Sequence, residues 1–179
     1  MLEKKYFAPI FLIYLFGVLL FLDKRHHAIG SLIGISFYCW METLLPPYLR
    51  PDMNIHHIAT IILSLSAYHY QLPWEHCRVF LNTEVSTIFL TIKNLGIHKV
   101  GWVPELINFI LFFSTFIYFR IWCMGWFLAT LPPNSYPLFI MAPAYTIYGL
   151  NLFWLLKIKN KALERLQDPQ FLRQVDKDD

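Results

Sequence analysis

The side chains in this sequence that could do chemistry are few, and they sit in apolar surroundings. They are Glu42, His56, His57, Glu84 and Arg120, with Asn82, Asn108 and Asn151 as neutral polar companions. Ionisable groups inside an apolar run are costly, so they turn toward a protein interior and pair. Neutral imidazole is the side chain suited to take a proton near pH 7. His56 or His57 could therefore deprotonate an amine or hydroxyl, or accept an acyl group covalently, with Glu42 orienting the ring. Glu84 and Arg120 could meet as a buried ion pair. The competing role for that pair is a structural bridge that fixes helix registry.

Spacing narrows the choice. Adjacent residues on a helix point about 100° apart, so His56 and His57 face different neighbours. His56 shares its face with Thr60 and Ser64, at i, i+4 and i+8, a small polar stripe suited to lining a groove or to close helix contact. The plainer alternative makes both histidines hydrogen-bonded packing or interfacial residues. Metal binding needs ligands at i and i+3 or i+4, which the pair does not offer, and seven histidines without clustered boxes do not build a di-iron site. No metal and no resident cofactor are expected. Cys39, Cys77 and Cys123 fall in three separate runs and read as small apolar packing residues. No GxSxG elbow occurs, and Ser86 lies within a predicted helix, the wrong setting for a serine nucleophile.

The elements that position these residues follow from composition. Of 179 residues, 56% are hydrophobic, 18% aromatic and only 15% charged, against roughly 25% charged in a soluble domain. That is a membrane protein, and a net charge of +3 gives no reason to expect nucleic acid. Six runs approach spanning length: Tyr6–Leu22, Ala28–Leu45, Met53–Tyr70, Cys77–Ile92, Val103–Leu128 and Pro137–Leu156. They are continuous rather than alternating, so they predict helices and not a barrel. Asp23-Lys24-Arg25 directly after the first run, without a small-residue cleavage site, speaks against a signal peptide. Pro46-Pro47, Pro73, Gly96, Gly101 and Pro132-Pro133 punctuate the connections. The expectation is an all-α membrane protein, a six-transmembrane-helix bundle over residues 1–157, with a polar cytosolic tail over 158–179 whose first part, Lys159–Gln167, extends the last helix.

Nine Lys and Arg fall on one side and three on the other, which favours cytosolic N- and C-termini. In that orientation Glu42, His56 and His57 lie about one turn from the cytosolic face, in a polar layer that Asn108 and Asn151 could join. Glu84 lies about 10 Å into its run from the outer end. No inverted repeat or matched pair of broken helices supports a transporter.

Three segments carry a resemblance to a known family. They are Asn54-Ile55-His56-His57-Ile58-Ala59-Thr60, then Leu81-Asn82-Thr83-Glu84-Val85-Ser86-Thr87-Ile88-Phe89-Leu90, then Phe112-Phe113, Phe116 and Phe119-Arg120-Ile121. Their order and placement resemble the TLC domain, the six-helix core of ceramide synthases and of several smaller membrane proteins, over roughly Tyr6 to Leu156. The resemblance implies a bundle around a lipid-accessible cavity. It implies acyl transfer from acyl-CoA to a sphingoid amine, with the paired histidines in the site and Glu84 beside them as catalytic residues. Glu42, Thr60, Ser64, Thr87 and Arg120 are the candidate substrate-binding residues, and Arg50, Lys93 and Lys99 could attract the phosphates of CoA. Where ceramide synthases carry His-Asp-x-Ser-Asp, this chain has Thr83, Glu84 and Thr87 at the ionisable positions. That version resembles more closely the small TLC-domain proteins associated with phospholipid composition, lipid trafficking or sphingolipid balance. The resemblance thus implies membrane lipid homeostasis in the endoplasmic reticulum. Acyl transfer and non-catalytic lipid binding both stay open, and membrane lipids are the expected partners.

Overall fold

A computed structural model of the chain describes residues 30, 33–41 and 50–166. The run Tyr6–Leu22, both ends of Ala28–Leu45 with Glu42, and Pro46-Pro47 lie outside the described residues. Within them every regular element is helical. Residues 33–41 form α1. Then follow α2 (Pro51–His69), α3 (Trp74–Asn82), α4 (Val85–Asn94) and a short 3-10 turn at Ile97–Lys99. The next helix begins as α5 (Trp102–Thr115), widens into a π segment (Phe116–Cys123), and resumes as α6 (Met124–Thr130). Last comes α7 (Leu138–Leu166).

The punctuation acts as the residue types dictate. Pro51 opens α2 at the position where a missing N–H costs nothing, and Asp52 complements the positive end of the helix. Pro73 starts α3 from extended backbone. Gly96, at φ 99°, and Gly101, at φ 145°, make the reversal between α4 and α5, where a side chain would be strained.

Among the described residues two helices are long and apolar enough to cross a membrane, Trp102–Thr130 with 29 residues and Leu138–Glu164 with 27. At about 1.5 Å per residue each exceeds the roughly 30 Å hydrocarbon layer. The run expected as one span over Cys77–Ile92 is two helices, broken at Thr83-Glu84. The last helix passes unbroken through residue 157 to Leu166.

α2 packs chiefly against α7, and α4 against α5. Ala59 and Leu63 of α2, Met124 and Leu128 of α6, and Ile140, Ala144 and Ile147 of α7 form the main core. Ala59 and Ala144 let the helices approach closely. A second cluster joins Ile35 and Cys39 of α1 to Leu81 of α3. Large apolar side chains such as Trp122, Trp126, Ile107 and Leu156 point outward, as a hydrocarbon solvent permits.

Candidate functional site

The polar stripe of α2 faces inward. His56, Thr60 and Ser64 line one cavity of about 40 Å³, with Ile35, Leu63, Cys77, Leu81, Thr83, Glu84 and Ile147 among the other walls. His56 Nδ1 and Thr60 Oγ1 are buried and have no hydrogen-bond partner among the described residues. The His56 ring also meets Trp154 of α7 edge-on, 5.1 Å between centroids. The Trp154 indole N–H donates to Asp52 at 2.8 Å, which fixes the wall behind His56. That bond, opposed by partial burial and aided by Arg50 and Lys157, holds the Asp52 carboxyl below its ordinary value of 3.8. Lys157 Nζ and Arg50 Nη2 stand 3.5 and 3.4 Å from the same carboxylate.

His57 turns elsewhere, as the 100° offset requires. It is buried, does not line the cavity, and packs against Tyr38 of α1, 6.3 Å between rings. The two imidazoles still lie 5.7 Å apart.

Glu84 reaches the cavity because the backbone tightens there. Thr83, Glu84 and Thr87 donate their N–H groups to the carbonyls of Phe80, Leu81 and Glu84, each three residues back, the pattern of a 3-10 turn. Thr87 N–H goes to Glu84, so the Thr83 carbonyl is released from helix duty. It accepts instead from Arg120 Nε at 3.1 Å and from the Ser86 hydroxyl at 3.0 Å. Arg120 lies in the π segment, where the wide turn carries its guanidinium to this point. Its other contacts are Ser86 Oγ at 2.8 Å, Asn151 Oδ1 at 3.2 Å and Thr87 Oγ1 at 2.9 Å. Its Nη2 stands 3.8 Å from Glu84 Oε1. Thr87 donates in turn to Glu84 Oε2 at 2.8 Å. The Phe116 ring covers the guanidinium, 5.6 Å from centroid to Cζ. A tight turn on one helix thus meets a wide turn on another, and the fork donors of arginine fill the space between them.

The structure therefore gathers His56, Thr60, Ser64 and Glu84 around one cavity. Arg120 and Thr87 join it through Glu84 and do not line it themselves. Glu42 lies outside the described residues. Two neutral members leave the histidine layer that depth alone suggested. Asn151 is fully buried on Arg120, and Asn108 donates to the Phe89 carbonyl at 3.0 Å, joining α5 to α4. Ser86 and Thr83 were not legible as parts of the site, because their contribution rests on where the helix tightens. Trp154 gave no signal beyond its aromatic type. Cys39, Cys77 and Cys123 form no disulfide among the described residues, and no group of metal-binding residues occurs among them.

A family model of the TLC domain matches residues 7–160. The chain belongs to the TLC-domain family. No curated protein and no solved structure matches it. TLC-domain proteins are membrane proteins with roles connected to membrane lipids, and the two long apolar helices agree with that setting.

Proposed function

We propose that this TLC-domain chain transfers an acyl group from acyl-CoA to an amine or hydroxyl of a membrane lipid, with His56 as the general base. The observation that carries this reading is the His56 Nδ1 atom, buried without a partner in a cavity shared with Thr60, Ser64 and Glu84. The acceptor gives its proton to His56 as its oxygen or nitrogen bonds to the thioester carbon. The C–S bond breaks, and the CoA thiolate takes up the proton as it leaves. The Thr60 hydroxyl is free to donate to the oxyanion formed on the way, and Glu84 lines the same cavity. Only the reacting ends of the two substrates would enter this cavity, while their chains remain in lipid. Six spans with both termini cytosolic, in the endoplasmic reticulum, would present the His56 end to soluble CoA, and Arg50 stands near that end.

A second reading has its own support. Glu84 is engaged by Arg120 and Thr87, and a cavity of about 40 Å³ is small, as a non-catalytic lipid-binding protein regulating phospholipid composition or trafficking would allow. The deciding experiment supplies labelled acyl-CoA to the purified protein in lipid nanodiscs of mixed acceptor lipids. Transfer that His56→Ala abolishes without loss of folding supports the enzyme. A folded wild-type protein that transfers nothing, yet retains a defined lipid through purification, supports the binding protein.

A further inference from the structure

We infer that the cavity beside His56 is a built water site, in which ordered water completes the hydrogen bonding of His56 and Thr60 and connects both to the Glu84 carboxylate. The inference concerns the cavity of the proposed reaction and holds whether or not the reaction occurs. Two buried polar atoms from one helix face, His56 Nδ1 and Thr60 Oγ1, have no partner among the described residues. Apart from the Ser64 hydroxyl, which lines the same void and could itself bond a water, their neighbours offer none. Trp154, against the His56 ring, has committed its single N–H to Asp52. The walls between the helices are Ile35, Leu63, Leu81 and Ile147, which have nothing to donate. The Thr83 hydroxyl is spent on the Phe80 carbonyl at 2.6 Å.

Glu84 lines the same space with capacity left over. Its two oxygens meet Thr87 and Arg120, and a carboxylate has about four lone-pair sites. Acceptors, a hydroxyl and an imidazole nitrogen around one void are what a buried water needs, at two to four polar partners each. The volume agrees. About 40 Å³, at roughly 10–15 Å³ per water, holds about three or four. One water donating to Nδ1 and accepting from Thr60 fixes the imidazole tautomer with its proton on Nε2. The next carries the chain to Glu84.

The test is X-ray hydroxyl-radical footprinting of the full chain in nanodiscs in ¹⁸O-water, so that the probe is water itself. Cys77 and Leu81 line the cavity, whereas Met124 and Leu128 are similarly buried and do not. Once each rate is divided by the intrinsic radical reactivity of its side-chain type, the expected result is ¹⁸O incorporation several-fold faster at Cys77 than at Met124, and at Leu81 than at Leu128. Thr60→Val keeps the shape and removes a bonding group, and it should lower the rate at Cys77 and Leu81. Ala67→Leu, which fills the void, should abolish the difference; should that variant not fold, Thr60→Val carries the comparison. Rates at Cys77 and Leu81 no higher than at the reference residues would overturn the water site. So would rates unchanged by Thr60→Val, which would mean passing hydration rather than held water. Acyl transfer with a dry cavity would keep the reaction and remove the water, and a wet cavity without transfer would do the reverse.

Discussion

Arg120 is the residue on which the largest single energetic effect is expected. Its guanidinium is buried and holds four side chains and a freed carbonyl. Replacing it with Met strands the Glu84 carboxylate without a countercharge, a loss of about 3–5 kcal/mol, readable as a fall in thermal or denaturant midpoint in detergent. Arg120→Lys keeps the charge and loses the fork, so it should fall between. Glu84→Gln combined with Arg120→Met should cost less than the two singles summed, because the stranded charge is gone. Asp52 gives a pH-dependent counterpart. Its folded carboxyl sits below 3.8, with the Trp154 bond as the main cause. The stability it contributes is present above 3.8 and is lost as pH falls through the lower folded value. Acid titration of the unfolding midpoint should show this loss in the wild type, and Asp52→Asn should flatten it. The pairing of Glu84 with Arg120 was readable from the sequence, since two isolated charges in apolar runs need each other. The attachment of Asn151 to Arg120 was not, because depth along a helix says nothing about which face a residue occupies.

Helix boundaries were largely legible where glycine or proline marks them, as at Gly96, Gly101 and Pro73. The tight turn at Thr83-Glu84 and the π segment were not, because no glycine or proline stands within either. Both depend on side-chain bonds made to another helix. A close approach between α6 and α7 offers a test at this scale. A Cβ placed on Gly125 would lie 2.5 Å from the Tyr148 hydroxyl and 3.0 Å from its Cζ. Gly125→Ala must therefore displace the ring, at about 1–3 kcal/mol. Tyr148→Phe in the same chain should recover part of the loss by removing the nearest atom, as a comparison of thermal midpoints for the single and double variants would show.

For the whole molecule, the apolar composition reads directly as a membrane protein, and two helices carry that reading by length alone. The full count of spans is less legible in the geometry. α2 has 19 residues and mixes histidine, serine and threonine into its apolar face, and α3 and α4 are each shorter than a span. The proposed orientation makes a direct prediction. In sealed microsomes a cysteine replacing Asn134, in the exposed turn before α7, should be shielded from an impermeant maleimide until the membrane is opened. One replacing Lys161, near the other end of α7, should react at once. The reverse pattern would invert the orientation and place the His56 end away from soluble CoA.

The widened stretch from Phe116 to Cys123 separates the length of this helix from its aim. A π turn accommodates surplus chain while the α-helix on either side keeps its own facing. Deleting Trp122, an outward residue just after Arg120, should let the stretch close into an ordinary helix, with its two flanks still matched to their neighbours. Inside the closed stretch Arg120 would swing by up to one residue step, about 100°. A chain one residue shorter would then cross the bilayer as before and offer its cation to the wrong partner.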